Sequence, residues 1–449
     1  MRKYLFPSGA QLFLIFCISL FTSCSVSKQI SRSAKKAIED PSLANAHVGI
    51  SIFEPATGKY WFNYQGDKYF TPASNTKLAT CYVALKYLGD SLTGVLKAEN
   101  DTAIYLIPTG DPTFLHPDFR NQPVYDLLKN TNKKIYISDG NWQSEAWGMG
   151  WSWDDYNEDY QPERSPLPMY GNVLKWVQDN NNTKEPAVIY SLPEVNWNVN
   201  FNPVNAKNFS VYRNISSNVY RITQGKEKFK EIEVPFVTNG IKTALELLPD
   251  TIHKTVELIS PEKFQQLTRQ LNLNFNPVKS QAVDSFLKIT MHRSDNLYAE
   301  QSLLMVSERL LGVMNEERIL DTLLNTDYKD LPQKPKWVGG SGLSHYNLFS
   351  PQDLVTVLNK MKNDFGLDRM KTILATGNTG TLTHYYKADS GYIYAKTGTL
   401  SGVVSLSGYL LTRKNKQLIF SVLINNHNTS AATVRRTVEK FIDNLRNKF

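Results

Sequence analysis

The order of apolar and polar residues predicts a β-hairpin followed by a helix near the start of the chain. An apolar segment at residues 48–53 and an aromatic run at residues 60–64 flank a connection that contains Gly58. Two such runs joined by a short glycine-containing connection are typical of a hairpin. Apolar residues at helical spacing follow, and Pro72 suits a first helical turn, so we expect a helix that begins after Thr71.

The middle and the end of the chain follow two different patterns. Between residues 96 and 275, short β-prone runs alternate with Asn, Pro and Asp, which predicts a strand-rich insert. Helical periodicity returns at residues 282–291 and 297–311. Because three strand patterns precede one helical pattern, the last part predicts an antiparallel sheet with a helix packed on one face. Its elements are strands at 392–396, 404–411 and 418–425 and a helix from about Ala431.

These elements together predict an α+β protein whose principal domain is interrupted. We expect that domain to consist of residues 46–95 and 276–449, with a β-rich insert at residues 96–275. Residues 24–45 are polar and rich in Ser and Lys, which suits a tether in front of the folded body.

The first 23 residues have the pattern of a secretory signal, with Arg2 and Lys3 before a short apolar run. The run is too short to span a bilayer comfortably, and it ends close to Cys24, as in a bacterial lipobox whose cysteine is acylated. We therefore expect an exported protein that a lipid anchor holds on the periplasmic side of a membrane. An ordinary signal peptide (residues 1–23) with an incidental Cys24 is the alternative.

Composition limits the remaining classes of function. The chain has 449 residues, of which 41% are hydrophobic, so it is not a long disordered chain and has room for more than one domain. Three cysteines cannot build a disulfide scaffold. A net charge of +8 without a dense block of Lys and Arg gives no support to a nucleic-acid partner.

A serine and a lysine three positions apart place a hydroxyl and an amine on one face of a helix. This Ser-x-x-Lys pattern occurs five times, but only Ser74 and Lys77 lie in an early helical turn directly after the hairpin. The helix N-terminus there favours developing negative charge. Lys77 can act as a base only if burial or another cation lowers its pKa. The pattern also begins at Ser25, Ser33, Ser260 and Ser285.

Two further motifs occur in a fixed order after Ser74. Ser294-Asp295-Asn296 lies between two predicted helices, and Lys396-Thr397-Gly398 lies at the end of a predicted strand. We expect Gly398 to let a substrate approach the strand backbone closely. The ordered set SxxK, SDN and KTG is the signature of the active-site-serine enzymes that recognise penicillin.

Other hydrolase chemistries lack their motifs in this sequence. No serine has glycines two residues before and after it, so there is no nucleophile elbow. The seven histidines form no HExxH motif and no i,i+4 pair, so a zinc peptidase has no support. No glycine-rich phosphate loop precedes a helix. We expect neither a metal nor a cofactor.

With these motifs the chain resembles the class C low-molecular-mass penicillin-binding proteins. These are D-alanyl-D-alanine carboxypeptidases and endopeptidases of the penicillin-binding protein 4 type. The long gap between Ser74 and Ser294 also resembles this family, whose catalytic domain is interrupted there. The resemblance implies a DD-peptidase/β-lactamase-like fold, an antiparallel sheet flanked by helices. Further matching segments are residues 109–113, 150–155, 340–344 and 377–382.

The resemblance implies a role for each residue of the first two motifs. Ser74 would be the nucleophile, Lys77 its base, and Ser294 the relay that passes a proton to the leaving amine. Asn296 would position the amide of the substrate. Ser74 would attack the penultimate D-alanine carbonyl, D-alanine would leave, and water would release the acyl-enzyme.

The resemblance assigns the third motif to the substrate's free carboxylate. Lys396, Thr397 and Thr399 would bind that carboxylate, and the backbone N–H groups of Ser74 and Thr399 would form the oxyanion hole. Like-charge proximity of Lys396 would also lower the pKa of Lys77.

An acidic pair and two departures concern the substrate's side chain. Asp154 and Asp155 resemble a family element that binds the distal amine of the peptidoglycan peptide, and we favour Asp155 for that contact. A solvated acidic turn is the alternative. His345 stands where the family often has Arg, and Ser401 where a longer polar side chain is common. The finer contacts to the diamino acid therefore stay open.

The resemblance thus predicts hydrolysis of D-alanyl-D-alanine-type bonds in peptidoglycan stem peptides, with β-lactam antibiotics as covalent inhibitors. One alternative is a β-lactamase, against which the long insert argues. Another is a non-catalytic wall-binding lipoprotein. The intact motif residues argue against it, namely Ser74, Lys77, Ser294 and Lys396. The preference between carboxypeptidase and endopeptidase activity stays open.

Overall fold

The computed structural model of this chain describes residues 30–181 and 187–449. The predicted signal peptide and Cys24 lie outside these residues. No helix within the two described ranges is long and apolar enough to cross a membrane. The chain divides into two compact units. The first contains the described residues up to Asn75, Leu331–Pro335 and Leu348–Phe449, and the second contains Thr76–Asp330 and Lys336–Asn347.

Strands and helices occur in both units, and their labels follow the chain. The strands are β1 (His47–Glu54), β2 (Lys59–Tyr64), β3 (Ser91–Glu99), β4 (Ala103–Pro108), β5 (Lys134–Ile137), β6 (Val173–Asp179), β7 (Val188–Leu192), β8 (Val199–Ala206), β9 (Ser210–Asn214), β10 (Ser217–Gly225), β11 (Phe229–Pro235), β12 (Val256–Leu258), β13 (Asn276–Ala282), β14 (Ala375–Thr376), β15 (Ile393–Leu400), β16 (Val403–Leu411) and β17 (Gln417–Asn425). The helices are α1 (described over residues 30–38), α2 (Lys77–Tyr87), α3 (Pro123–Asn130), α4 (Lys242–Ile252), α5 (Pro261–Gln270), α6 (Val283–Ile289), α7 (Asn296–Leu311), α8 (Glu316–Asn325), α9 (Pro351–Phe365), α10 (Leu367–Ile373) and α11 (Ala431–Lys448).

The first unit is built on a six-stranded antiparallel sheet with the order β14-β15-β16-β17-β1-β2. Strands β1 and β2 form the predicted hairpin, and β15, β16 and β17 are the three strands predicted at the end of the chain. Strands β16 and β17 are buried along almost their whole length. Helices α1 and α11 pack on one face and α9 packs on the other, so helices cover both faces rather than the predicted one.

Helix α1 lies in the segment for which composition predicted a tether up to residue 45. Ile30 and Ala34 are one helical turn apart, and both are buried in the core of the first unit. The Ser, Lys and Arg residues that suggested a tether lie around these two positions. The polar composition therefore concealed an amphipathic helix.

The second unit contains a five-stranded sheet with the order β12-β5-β4-β3-β13 and two three-stranded sheets, β8-β10-β9 and β11-β6-β7. These strands confirm the strand-rich character predicted for residues 96–275. Strands β3 and β13 pair antiparallel, with Val95 opposite Val278. The two predicted ends of the insert therefore fall in neighbouring strands, and the division into domains itself stays a prediction.

Helix α7 packs among neighbouring helices of the second unit. Helix α2 packs against α6 and α7, and α7 packs against α8. As a result, α7 is buried at every position from Leu297 to Ser307. The helix begins after Asp295, whose side chain accepts a hydrogen bond from the backbone N–H of Tyr298 at 2.9 Å. This N-cap fixes the start of α7 within the SDN motif.

Candidate active site

In the first unit, side chains of β16 and β17 bind the segment that leads to Ser74. Asn425, the last residue of β17, accepts a hydrogen bond from the N–H of Thr71 at 2.8 Å and donates one to its carbonyl at 3.0 Å. Ser405 of β16 donates to the carbonyl of Pro72 at 2.7 Å. These three bonds fix the backbone immediately before the predicted nucleophile.

Ser74 itself is half-buried in a short 3-10 turn, Ala73–Thr76, that leads directly into α2. The sequence predicted the early turn of an α-helix at this place. The backbone departs from that geometry because Ala73 has a φ of +47°, a value that residues with a Cβ rarely adopt. Strained backbone of this kind concentrates at functional sites.

The KTG motif lies on β15, directly against the Ser74 turn. A Cβ on Gly398 would lie 2.9 Å from the backbone nitrogen of Ser74 and 2.2 Å from Oγ of Ser405. Only glycine allows this approach. The close approach predicted for Gly398 therefore includes the Ser74 segment itself. Asn75 adds a bond across the same contact, because its Nδ2 donates to the carbonyl of Lys396 at 2.9 Å.

The KTG side chains differ sharply in exposure. Lys396 is 0% exposed, and its Nζ donates to the carbonyl of Thr397 at 2.8 Å. Thr397 is buried as well, whereas Thr399 is exposed. From α11, Nη2 of Arg435 donates to Oγ1 of Thr399. The motif thus presents Thr399 to solvent with an arginine beside it, and no pattern in the sequence pointed to that arginine.

In the second unit, Lys77 is the first residue of α2 and is 1% exposed. Its Nζ donates to Oδ1 of Asn296 and to the carbonyl of Ser341, each at 2.6 Å. Asn296 is the first residue of α7, and its Nδ2 donates to the carbonyl of Tyr160 at 2.8 Å. The unit therefore brings the predicted base and the asparagine of the SDN motif into direct contact.

Burial lowers the pKa of Lys77 from its ordinary value to about 7. The carboxylates of Glu300 and Asp295 oppose this effect, because negative charge favours the ammonium form. The sequence predicted a lowered pKa with Lys396 as one cause, whereas loss of solvent is the largest cause in the structure. An amine with a pKa near 7 is partly neutral at neutral pH, so it can accept a proton.

Ser294 ends a π-helical turn, Thr290–Ser294, and has a φ of +63°. Single π turns and residues with left-handed backbone are both frequent at functional sites. Directly after Ser294, the chain enters α7 through the Asp295 cap. The motif thus joins a strained serine to an asparagine that holds Lys77.

A buried ionic network supports the Ser341 carbonyl that Lys77 contacts. Oε1 of Glu300 accepts hydrogen bonds from the backbone N–H of Ser341 at 2.8 Å and from its hydroxyl. Nη1 of Arg164 lies 3.4 Å from Oε2 of Glu300 and 2.5 Å from Oε1 of Glu316. Burial raises the pKa of Glu316 to about 7. Glu300 was not predicted, although its position four residues after Asn296 on one helix face was a usable signal.

A cleft of about 560 Å³ in the second unit is lined in part by Ser294, Asn296 and Tyr160. Burial, and after it the carboxylate of Asp155, raises the pKa of the Tyr160 phenol. Asp155 is half-buried on a 3-10 turn, Trp153–Asn157, whereas Asp154 is exposed. Of the two acids, the one favoured from the sequence therefore acts electrostatically on a residue of the cleft wall.

Each unit therefore carries part of the predicted set of residues. The first holds Ser74 and the KTGT segment, and the second holds Lys77 and the SDN motif. His345 and Ser401, the two departures from the family pattern, are both exposed. Within residues 30–181 and 187–449, no group of three His, Cys, Asp or Glu side chains is arranged to hold a metal ion.

The chemistry that these residues support is acyl transfer through a covalent intermediate. A serine hydroxyl and a partly neutral lysine lie three positions apart where a 3-10 turn meets a helix. Together with a helix-covered antiparallel sheet that carries KTG, this is the class of DD-peptidases that recognise penicillin.

Comparison with known proteins identifies the family. The chain belongs to the D-Ala-D-Ala carboxypeptidase 3 (S13) family, whose model matches residues 30–448. The D-alanyl-D-alanine carboxypeptidase DacB of Haemophilus influenzae is 25% identical over 443 residues, which cover 86% of this chain and 87% of the relative. Family membership confirms the prediction that the protein is a peptidase, and thus a hydrolase.

Solved structures confirm the fold. The crystal structure of penicillin binding protein 4 (dacB) from H. influenzae has a TM-score of 0.71 and 20% identity, and covers 93% of this chain and 98% of that one. The structure of that protein complexed with a novel β-lactam has a TM-score of 0.66 and 19% identity, with the same coverage. The DD-peptidase-like fold that the sequence resemblance implied is therefore present.

Proposed function

We propose that this protein is a serine-type D-Ala-D-Ala carboxypeptidase that acts on peptidoglycan stem peptides through an acyl-enzyme on Ser74. The proposal rests chiefly on the buried amine of Lys77, which has a pKa near 7 and is held by Asn296 and Ser341. Lys77 follows Ser74 by three residues, so the neutral amine is the base that removes the proton of the Ser74 hydroxyl.

Residues of the second unit handle the proton and the acyl part of the substrate. Ser294 relays the proton from Lys77 to the departing amine. Asn296 orients Lys77 and binds the substrate amide, because its side chain has both a donor and an acceptor. Asp155, whose charge acts on Tyr160 at the wall of the cleft, binds the distal amine of the stem peptide.

Residues of the first unit handle the oxyanion and the leaving group. The backbone N–H groups of Ser74 and Thr399 bind the oxyanion, and one such donor is worth roughly 100- to 1000-fold in rate. The contact of Gly398 with the Ser74 nitrogen supports this pairing. Thr399 binds the substrate carboxylate, and the buried Thr397 and Lys396 support it from within the strand.

Penicillins present a strained amide and a carboxylate to the same residues, so we propose that they acylate Ser74 and block it. The family relative from H. influenzae is named as a carboxypeptidase, and its penicillin binding protein 4 was solved in complex with a β-lactam. Both facts support the assignment by analogy.

The decisive test is the substitution Ser74→Ala. We expect it to abolish D-alanine release from a D-Ala-D-Ala peptide and covalent labelling by fluorescent penicillin, because the attacking hydroxyl is gone. Ser285→Ala is the matched control, since Ser285 belongs to the same Ser-x-x-Lys pattern but is exposed in the middle of α6. Covalent labelling retained by Ser74→Ala would place the nucleophile elsewhere.

Three rival outcomes are separated by products. Mass analysis of digested cross-linked muropeptides shows endopeptidase activity if cross-linked dimers become monomers. Rapid turnover of penicillin in a time course would identify a β-lactamase instead. Saturable muropeptide binding with no product of any kind would identify a non-catalytic wall-binding protein.

For location, we propose that the protein is exported and that a lipid on Cys24 anchors it on the periplasmic side of a membrane. Metabolic labelling with a radioactive fatty acid should mark the wild type and not Cys24→Ser. Equal labelling of both would exclude Cys24 as the lipid site.

A further inference from the structure

The terminal helix brings an arginine to the KTGT segment. Arg435 lies on α11, which packs against β16, and its guanidinium donates to the hydroxyl of Thr399 on β15. Both residues belong to the first unit. Arg435 also lines a small pocket of about 20 Å³ together with Thr397 and Ser405. The guanidinium therefore faces the strand segment that would bind the substrate carboxylate.

The two other arginines of α11 have carboxylate partners. Arg436 pairs with Glu439 at 2.5 Å, and Arg446 pairs with Asp389 at 2.8 Å. Within residues 30–181 and 187–449, no Asp or Glu oxygen lies within 4.0 Å of the Arg435 guanidinium. Its contacts are the Thr399 hydroxyl and the ring of Tyr385, whose centroid is 6.0 Å away. Arg435 thus keeps its positive charge available to an anion.

Lys396 is poorly placed to meet that anion directly. Its side chain is fully buried, and its Nζ donates to the Thr397 carbonyl. Arg435 is half-exposed and Thr399 is exposed. A carboxylate that approaches this end of β15 from solvent therefore meets the guanidinium and the threonine before it can meet the lysine.

The hydrogen bond between Arg435 and Thr399 also orients the hydroxyl. An arginine only donates, so Oγ1 of Thr399 must accept, and the hydroxyl proton is left to donate elsewhere. A guanidinium and an adjacent hydroxyl can together bind the two oxygens of one carboxylate. One residue before Thr399, β15 meets the backbone nitrogen of Ser74 through Gly398. The carboxylate site is thus next to the proposed nucleophile.

We propose that Arg435 is a substrate-binding residue that recognises, with Thr399, the free carboxylate of the departing D-alanine. This rests on the proposed function and extends it by one residue. It makes Arg435 a determinant of specificity for substrates that carry a carboxylate next to the scissile bond.

The test compares two substrates in the full-length protein. One is a stem peptide that ends in D-Ala-D-Ala, and the other is the same peptide with its terminal carboxylate converted to an amide. We expect Arg435→Ala to raise KM for the acid by about 10- to 100-fold, the range of a charged hydrogen bond that is lost. Activity on the amide should stay within about twofold, since there is no charge to lose.

Two further variants refine the result. Arg435→Lys keeps the positive charge but loses the planar guanidinium with its paired N–H donors. Its KM for the acid should therefore lie between the KM values of the wild type and of Arg435→Ala. Arg436→Ala is the matched control, because this neighbour pairs with Glu439 and should leave both substrates unaffected. Equal losses on acid and amide, or no loss on the acid, would overturn the role of Arg435.

Binding separates this proposal from the proposed function. In Ser74→Ala, calorimetric titration with the acid peptide should show binding that weakens when Arg435→Ala is added. If the wild type hydrolyses neither peptide, the proposed function fails, and the titration alone then decides the carboxylate site. Unchanged binding in the double variant would reject it.

Discussion

The two units hold their functional residues by different physical means. In the first unit, close packing positions Ser74. Gly398 has no side chain, so its strand can lie against the Ser74 backbone nitrogen, and Asn425 forms hydrogen bonds with the segment before Ser74. In the second, Lys77 is positioned within a buried polar network that ends in the Arg164–Glu300 ion pair. The position of the proposed nucleophile therefore depends on close packing, and that of the proposed base depends on burial and charge. Substitutions in the two regions should leave different kinetic signatures.

The largest loss of activity is expected when a side chain disrupts the close packing at Gly398. In Gly398→Ala, the new Cβ would collide with Oγ of Ser405 and with the nitrogen of Ser74, so the nucleophile must move. A displacement of about 1 Å typically costs about 100-fold in rate, and we expect a loss of kcat/KM of that order. The measurement is kcat/KM across pH, and its midpoint should stay where the wild type has it.

Gly408→Ala provides the control for this substitution. Gly408 lies on β16, and a Cβ there would be 2.1 Å from the carbonyl of Tyr394, so the clash is as severe. Because no atom of the Ser74 turn is among its nearest neighbours, Gly408→Ala should lower the melting temperature while the folded fraction keeps its kcat/KM. Equal kinetic losses in both variants would show that general strain in the sheet explains the effect.

The second prediction concerns the pH dependence of the wild type. The pKa of Lys77 is lowered to about 7, and only the neutral amine can accept the proton of Ser74. As pH falls below 7, kcat/KM should therefore fall by about tenfold per pH unit. A profile measured from pH 5 to 9 with an acetylated D-Ala-D-Ala peptide, whose carboxylate stays ionised throughout, tests this. A flat profile down to pH 5 would exclude Lys77 as the base.

The smallest effect is expected from the charge on Glu300. Its carboxylate favours the protonated form of Lys77, so Glu300→Gln should lower the pKa of the lysine further. The acid limb of kcat/KM should then move to lower pH by about one unit or less. The loss of a buried partner of Arg164 should also lower the free energy of unfolding by about 3–5 kcal/mol.

Glu316→Gln is the matched control for Glu300→Gln. Glu316 is the other carboxylate partner of Arg164, but it makes no bond to Ser341 among the described residues. We expect this variant to keep the acid limb in place and to change the free energy of unfolding little, because the raised pKa of Glu316 shows that the fold already favours its neutral form. If Glu300→Gln and Glu316→Gln shift the limb equally, the contact through Ser341 has no special role.

Local patterns predicted the elements that carry the motifs. The hairpin β1–β2, the strands β15 to β17 and the final helix follow from apolar spacing that is visible within short windows. Helix α1 was missed because its two buried positions, Ile30 and Ala34, stand among polar residues. The sequence did not predict that α9 covers the second face of the sheet. That packing depends on the fold and not on a pattern near the strands.

The candidate site divides in the same way. Ser74, Lys77 and the SDN and KTG motifs could be selected by order and local context. The cause of the lowered Lys77 pKa could not, because burial is a property of the folded chain. Arg435 is a further case, since it is adjacent to Thr399 only through the packing of α11 on the sheet. When a residue of another helix or strand contacts a motif, the sequence around the motif gives no sign of that residue.

The boundary between the two compact units falls between Asn75 and Thr76, inside the Ser-x-x-Lys motif. A fragment that reproduces either unit by itself would therefore contain the serine without its lysine, or the lysine without its serine. Under the proposed mechanism, neither fragment can serve as a minimal enzyme, however well it folds. Gene truncations meant to simplify this protein for inhibitor screening should keep both units in one polypeptide.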